Sequence, residues 1–308
     1  MAFNLATFRT RTLTAVVFVI VMLAGLLINQ WSFFILFSII HFGCWAEYQK
    51  LVGRIDKEYA FISPFHKYGA MMAGWCMMLC FTNENFRIDG FWLHTPAWWP
   101  AIVFAVAIIT ELLLQTKKRL NNIAHSIFGL AYISLSCALM VDLYDYSFTV
   151  PAGDIPFSKE PIAHIHAVFA WFVPAFIIAC MWINDTMAYI VGSFIGRTPF
   201  SSISPKKTWE GTIGGIILCI AVAGYIGDHT NQYGIKPLVH VPAWHWYVIA
   251  GIAAIAGTAG DLLESKLKRL AGVKDSGHIM PGHGGFLDRF DSLLVAAPFV
   301  WLYLKLVL

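Results

Sequence analysis

Charge is scarce in this chain. Asp, Glu, Lys and Arg make up 13% of the 308 residues, against 58% hydrophobic residues. A water-soluble globule carries about 25% charged and about 45 to 50% apolar residues, so that class is excluded and a polytopic membrane protein remains. Cysteine shows no ligand-like pattern: residues 44, 76, 80, 137, 180 and 219 all fall in apolar stretches. Although Cys76 and Cys80 share a helix face, a disulfide framework or a zinc site in polar loops is not expected, and the thiols read as small buried hydrophobes. No small-residue cleavage site follows the first apolar run, Leu13 to Leu27, which therefore reads as a retained helix and not a signal peptide. Internal repeats and low-complexity tails are also missing. Net charge is only +3, and nothing in the chain calls for a nucleic-acid partner.

Long apolar runs are abundant. A membrane span needs about 20 mostly apolar residues, and about nine candidates are centred on 13–29, 31–47, 68–82, 98–114, 123–143, 166–184, 211–227, 244–262 and 290–308. The expected class is all-α, a polytopic transmembrane helical bundle. Twelve Trp and eleven Tyr fit interfacial belts, as at Trp98 and Trp99 or Trp244, Trp246 and Tyr247. Basic residues alternate between loops. Arg9 and Arg11, then Lys50, Arg54, Lys57 and Lys67, then Lys117, Lys118 and Arg119 mark one side, while 83–97 and 144–165 are poor in Lys and Arg. The positive-inside bias makes the basic loops cytoplasmic, and the alternation carries 185–210 and 263–289 to that side. A bacterial inner membrane, with the N-terminus and the chemistry in the cytoplasm, is the expected location. Residues 1–165 hold helices with little convergent chemistry and 166–308 hold the reactive side chains, within one continuous membrane domain.

Ionisable groups near a helix centre cost about 2.5 to 3.5 kcal/mol each on insertion scales, so their clustering here needs compensation. Asp261 and Glu264, at i and i+3, share a helix face that Ser265 extends. Mg²⁺ prefers oxygen ligands and commonly takes one or two carboxylates with substrate phosphates, so these acids are candidate metal ligands. A helix end paired to Lys266, Lys268 or Arg269 is the competing explanation. Asp288 and Asp291 repeat the pattern around Arg289, where a first helical turn also favours acids. A metal site shared by Asp261 and Asp288 is the expectation. Pro281-Gly282-His283-Gly284-Gly285 leads into that acidic helix, and glycine backbone before a helix start can cradle a phosphate. Upstream, Ser204-Pro205-Lys206-Lys207-Thr208 offers two cations and two hydroxyl donors to a polyphosphate, or else interfacial anchors beside Trp209. Asp185 and Tyr189 share a helical face with Gly192 and Gly196.

Both signs of charge in one cleft fit the joining of two anions. A unit-charge pair at about 5 Å repels by roughly 3 kcal/mol at an effective dielectric of 20, and lysines with a divalent cation offset that repulsion. Two other classes stay open. A cation-coupled transporter would use Asp185, Asp261 and Asp288 as an ion path, and a phosphotransferase acting on a lipid carrier would keep the metal but change the donor.

Ser265-x-Leu267-Lys268-Arg269, Lys274-Asp275, Pro281-Gly282-His283-Gly284-Gly285 and Asp288-Arg289-x-Asp291 closely resemble the signature of the integral-membrane phosphatidate cytidylyltransferases, the CDP-diacylglycerol synthases. Asp185-Thr186-x-Ala188-Tyr189, Ser204 to Gly211 and Gly260-Asp261-Leu262-x-Glu264-Ser265 also look like family motifs. Together they cover the C-terminal part of the chain. The resemblance implies that CTP and phosphatidate react to CDP-diacylglycerol and pyrophosphate, with Mg²⁺ required, a monovalent cation such as K⁺ as an assistant, and a homodimer. It implies Asp261 and Asp288 as metal ligands, with Ser204, Lys206, Lys207 and the His283 loop facing the phosphates. Taken with the residue readings above, the candidate site comprises Asp261, Asp288, Lys206 and Lys207 in catalysis, Asp261, Glu264 and Asp288 at the metal, and Ser204, Thr208, Ser265, Lys274, His283, Gly284, Gly285 and Arg289 around the substrates. Met187 and Arg197 depart from the pattern, where a small residue and Lys are usual.

Overall fold

The computed structural model describes residues 5–82, 86–88, 91–94, 102, 105, 119–144, 147–151, 162–166, 171–234, 242–277 and 284–308. Helix dominates, as the apolar runs require: hydrocarbon offers no partner for backbone N–H and C=O, and a helix satisfies them internally. Two short antiparallel ribbons lie in segments expected to be loops, β1 (Arg87–Ile88) with β2 (Phe91–Trp92) and β3 (Ser147–Pro151) with β4 (Ile162–His166). The chain divides into two compact units that interleave in sequence, one of residues 1–141 and 263–291, the other of 142–262 and 292–308.

The first unit begins with α1 (Leu5–Leu27) and α2 (Gln30–Ile55). Asn29 separates them by a reciprocal cap: its side chain accepts from Ser32 N at 2.9 Å, and the Ser32 hydroxyl accepts from Asn29 N at 3.1 Å. After the short α3 (Lys57–Ala60), Ser63 caps α4 (Pro64–Cys80), with proline at the helix start where its missing N–H costs nothing. Then α5 (Arg119–Gly129) passes through a π-helical turn, Leu130–Ser134, into α6 (Leu135–Asp142). That widened turn coincides with a buried polar knot, in which Ser134 Oγ accepts from Trp45 Nε1 at 2.8 Å and meets His41 Nε2 at 2.9 Å. Gly74 packs on the same hydroxyl so closely that a Cβ there would overlap it.

The second unit is built on α7 (Phe172–Ile195), α8 (Trp209–Gly234), and most of α9 (Ala243–Leu270) and α10 (Leu287–Val307). Small residues let α7 and α8 meet backbone to backbone: a Cβ on Gly211 would stand 2.9 Å from Gly192 Cα, and one on Gly215 would stand 2.7 Å from Ala188 Cβ. Trp246, fully buried, packs edge-on against Phe172 and Phe176 with centroids 5.2 Å away. Asp142 accepts from Trp301 Nε1 at 2.7 Å and pairs with Lys305 at 3.0 Å.

Five helical stretches among the described residues are long and apolar enough to cross a membrane: Leu120–Asp142, Phe172–Ile195, Trp209–Thr230, Ala243–Leu270 and Leu287–Val307. Helices also stand at the first three expected spans, whereas 98–114 falls almost wholly outside the described residues. Several helices overrun their apolar cores. The α2 helix runs on to Ile55, α7 to Ile195 and α9 to Leu270, so Lys266 to Arg269, expected in a loop, are helical. Strong helix formers such as Leu, Lys and Glu extend a helix into water once packing has nucleated it.

Candidate functional site

In the second unit, a cavity of about 480 Å³ opens beside α7, α8 and α9, lined by Asp185, Ser204, Lys206, Lys207, Thr208 and Asp261 among others. The loop between α7 and α8 is held tight by its own backbone. Phe200 N donates to Lys207 O at 2.8 Å, Lys207 N to Ser204 O at 3.1 Å and Trp209 N to Thr198 O at 2.9 Å. Glu210 reinforces the closure by accepting from Arg197 N and Thr198 N. Thr208 serves as the helix cap, its Oγ1 accepting from Gly211 N at 3.1 Å. These bonds fix where Ser204, Lys206 and Lys207 stand. The Lys207 ammonium donates to the Asp261 carboxylate across the cavity, and Lys206 is exposed. Asp185 lies along the same wall, next to Asn184, whose Oδ1 is buried without a hydrogen-bond partner while its Nδ2 donates to Thr258 Oγ1 at 3.4 Å. An unsatisfied buried carbonyl oxygen costs about 1 to 3 kcal/mol, so a ligand for it is favoured.

In the first unit, carboxylates form a second cluster. Glu264 is fully buried on α9, and Lys268, one turn on, lies 2.5 Å from Glu264 Oε2 and 2.7 Å from Asp288 Oδ1. Asp288 Oδ2 accepts from Ser276 N at 2.9 Å, Ser276 Oγ at 2.8 Å and Gly285 N at 2.8 Å. The other centre of this cluster is Glu47 on α2, 1% exposed. Its carboxylate accepts from Phe286 N at 3.0 Å and from Leu287 N at 2.9 Å, and competes with Asp288 for the single proton of the Ser276 hydroxyl, 2.7 Å away. Glu47 therefore caps the start of α10 from another helix, and its negative charge meets the positive end of that helix. The glycines fit around these acids. Gly284 has φ +83°, and a Cβ there would stand 2.6 Å from Asp288 Oδ2; one on Gly277 or Gly285 would overlap the Glu47 carboxylate.

The expected site residues are thus distributed as follows. Asp261, Lys206, Lys207, Ser204 and Thr208 share the cavity of the second unit. Glu264 and Asp288 meet at Lys268 in the first. Ser265 is buried on α9, Lys274 is exposed on the loop after it, and Arg289 is exposed in the first turn of α10. Gly285 spends its N–H on Asp288, and His283 lies outside the described residues. Sequence reasoning missed Glu47, although a lone acid between Trp45 and Tyr48 in an apolar run was a usable signal.

Among the described residues no three His, Cys, Asp or Glu side chains gather as a metal-binding group. Mg²⁺ does not need that many, since one or two carboxylates suffice when substrate phosphates supply the rest. Asp185, the unsatisfied Asn184 oxygen and Asp261, whose Oδ2 is paired with the Lys207 ammonium, line one cavity and fit such a partial site once Lys207 turns to the substrate phosphates. Glu264 and Asp288 already hold an ammonium between them, and either could accept a divalent ion only with Lys268 moved away.

A family model described as the cytidylyltransferase family matches residues 9–307. The chain belongs to this family. It is 43% identical over 135 residues to a phosphatidate cytidylyltransferase of Synechocystis sp., covering 42% of each protein. It is 31% identical over 214 residues to phosphatidate cytidylyltransferase 4, chloroplastic, of Arabidopsis thaliana, covering 67% of this chain and 51% of that protein. A phosphatidate cytidylyltransferase of Staphylococcus epidermidis is 31% identical over 211 residues, 65% of this chain and 76% of the relative. The chain thus spans about half the length, or less, of the Synechocystis and Arabidopsis proteins.

Proposed function

We propose that the protein transfers the cytidylyl group of CTP to phosphatidate, giving CDP-diacylglycerol and pyrophosphate. The observation that carries this reading is the cavity of the second unit, where Lys206 and Lys207 stand with Ser204 and Thr208 on a loop closed by its own hydrogen bonds. The names of the relatives supply the substrates.

In this account Lys206 and Lys207 neutralise the triphosphate of CTP, and the Ser204 and Thr208 hydroxyls donate to its oxygens. Asp261 aims the Lys207 ammonium until the nucleotide arrives. A phosphate oxygen of phosphatidate attacks the α-phosphorus; that P–O bond forms as the bond from the α-phosphorus to the bridging oxygen breaks, and pyrophosphate leaves with the electron pair. No covalent protein intermediate is needed. Mg²⁺, held by Asp261 and Asp185 with the Asn184 oxygen, would neutralise charge accumulating on the leaving pyrophosphate. Glu264 and Asp288 are proposed as metal ligands only in a state in which Lys268 has withdrawn from them.

The membrane arrangement belongs to the same reading. A bundle of about nine membrane helices, with the Lys- and Arg-rich loops in the cytoplasm of a bacterial cell, is proposed, and the protein works as a homodimer. An ion-path reading is disfavoured because cations share the cavity with its acids. The test is product analysis with purified protein, phosphatidate, Mg²⁺ and CTP, UTP, ATP or GTP in turn. Pyrophosphate and a liponucleotide from CTP alone are expected; a liponucleotide from another nucleotide, or none from CTP, would overturn the assignment.

A further inference from the structure

The first unit contains a cavity of about 590 Å³ that the account above leaves unused. Lys50 and Arg54 line one wall, at i and i+4 on the last two turns of α2, and Lys274 lines the other, on the loop after α9, beside Asp275 and Ser276. Three cations against one acid leave the cavity with a surplus of two positive charges. Among the described residues no carboxylate is in ion-pair contact with Lys50, Arg54 or Lys274. The walls are also fixed to each other. Ser276 N donates to Asp288, and the Ser276 hydroxyl stands within hydrogen-bond reach of both Asp288 and Glu47, the latter one helical turn before Lys50, with its one proton shared between them. These bonds fix the backbones that carry the three cations, so an anion entering the cavity meets the excess positive charge without the walls first having to be drawn together.

We infer that this cavity binds the phosphate monoester headgroup of a lipid, with Lys50 and Arg54 as ligands to the phosphate oxygens alongside Lys274. A lipid is favoured over a soluble phosphate by position in the chain. Lys50 and Arg54 follow directly on the apolar stretch of α2, whose exposed faces include Ile35 and Ile39. In the proposed membrane arrangement α2 leaves the hydrocarbon there, which sets its first basic residues at the depth of lipid headgroups. A monoester, doubly charged near neutral pH, matches the surplus of two. The inference rests on the proposed reaction for the identity of the lipid as phosphatidate; the cavity is a holding site, which the headgroup leaves before its phosphate attacks CTP.

The experiment is equilibrium binding to the purified full chain in detergent, without turnover, of dihexanoyl phosphatidate, dihexanoyl phosphatidylcholine, inorganic phosphate and CTP. The wild type is compared with Lys50→Gln/Arg54→Gln. Both side chains are exposed, so the fold should survive, and Arg54→Lys serves as the charge-keeping control. A lost charged hydrogen bond corresponds to about ten-fold in affinity. The double variant should weaken phosphatidate at least ten-fold while CTP binding stays within two-fold, and Arg54→Lys should recover part of the loss. Unchanged phosphatidate affinity in the double variant would overturn the inference and leave the proposed reaction standing. A loss of CTP affinity instead would assign the cavity to the nucleotide, and inorganic phosphate binding as tightly as phosphatidate would remove the lipid; either result also overturns it. A wild-type protein that binds no phosphatidate would count against the proposed reaction itself.

Discussion

Replacing Glu47 by Gln should destabilise the protein far more than its conservative shape implies. The buried carboxylate accepts from Phe286 N on Oε1 and from Leu287 N on Oε2, where it also shares the Ser276 hydroxyl proton with Asp288. An amide can keep its oxygen toward the second pair, but its NH₂ then faces the Phe286 N–H, donor against donor. One charge-assisted bond is lost and a buried N–H is orphaned, about 2 to 3 kcal/mol together. The Ala variant orphans Phe286 N and Leu287 N, leaves the Ser276 hydroxyl to Asp288, and should lose roughly 4 kcal/mol or more, in the range reserved for broken buried networks. Thermal unfolding of purified protein in one detergent is the assay, with a midpoint drop of about 5 °C or more expected for Glu47→Gln and a larger one for Ala. Turnover should fall in parallel, because the same carboxylate secures the loop holding Ser276 and the start of α10. A Gln variant with wild-type midpoint and rate would refute the reasoning, since the bonds could not then be supporting that region.

Other outcomes follow from the same geometry. Lys268→Met leaves Glu264 and Asp288 without their shared cation and should cost about 3 to 5 kcal/mol, read as loss of folded protein on size exclusion; a stable Met variant would show that the acids are neutral or otherwise paired. Gly285→Ala should be severe, its Cβ overlapping Glu47, while Gly272→Ala, at φ +67° with open space around it, should cost about 1 kcal/mol; equal midpoints for the pair contradict the packing. Lys206→Ala should mainly raise the CTP concentration needed for half-maximal rate, and an unchanged CTP dependence would reduce Lys206 to an interfacial anchor.

The sequence was most informative where hydrocarbon dictates the answer. Apolar runs such as 211–227 and 290–308 become α8 and α10 because no other backbone form satisfies itself in lipid. Helix ends were harder to read. Lys266, Lys268 and Arg269 look like loop residues by charge, yet α9 carries them to Leu270, since an exposed turn costs little once its helix is packed. The Lys206-Lys207 pair and Asp261 could be named from residue type and spacing, and they do share a cavity. Glu47 could not be connected to Leu287 in this way, because 240 residues separate the partners and only the fold brings them together. The glycine turn before α10 invites a phosphate reading from its residue types, whereas in the fold Gly284 and Gly285 close around Asp288 and Glu47.

Binding of radiolabelled CTP to the purified protein, with and without Mg²⁺, in wild type and in Asp261→Asn, tests most directly whether the cavity beside α7 and α8 holds the nucleotide phosphates. The account predicts saturable, Mg²⁺-dependent binding in the wild type and, with the charge that serves both Lys207 and the metal removed, a loss on the order of 100-fold in the variant, the scale of a key electrostatic group. Saturable binding that is indifferent to both Mg²⁺ and the substitution would place the nucleotide elsewhere.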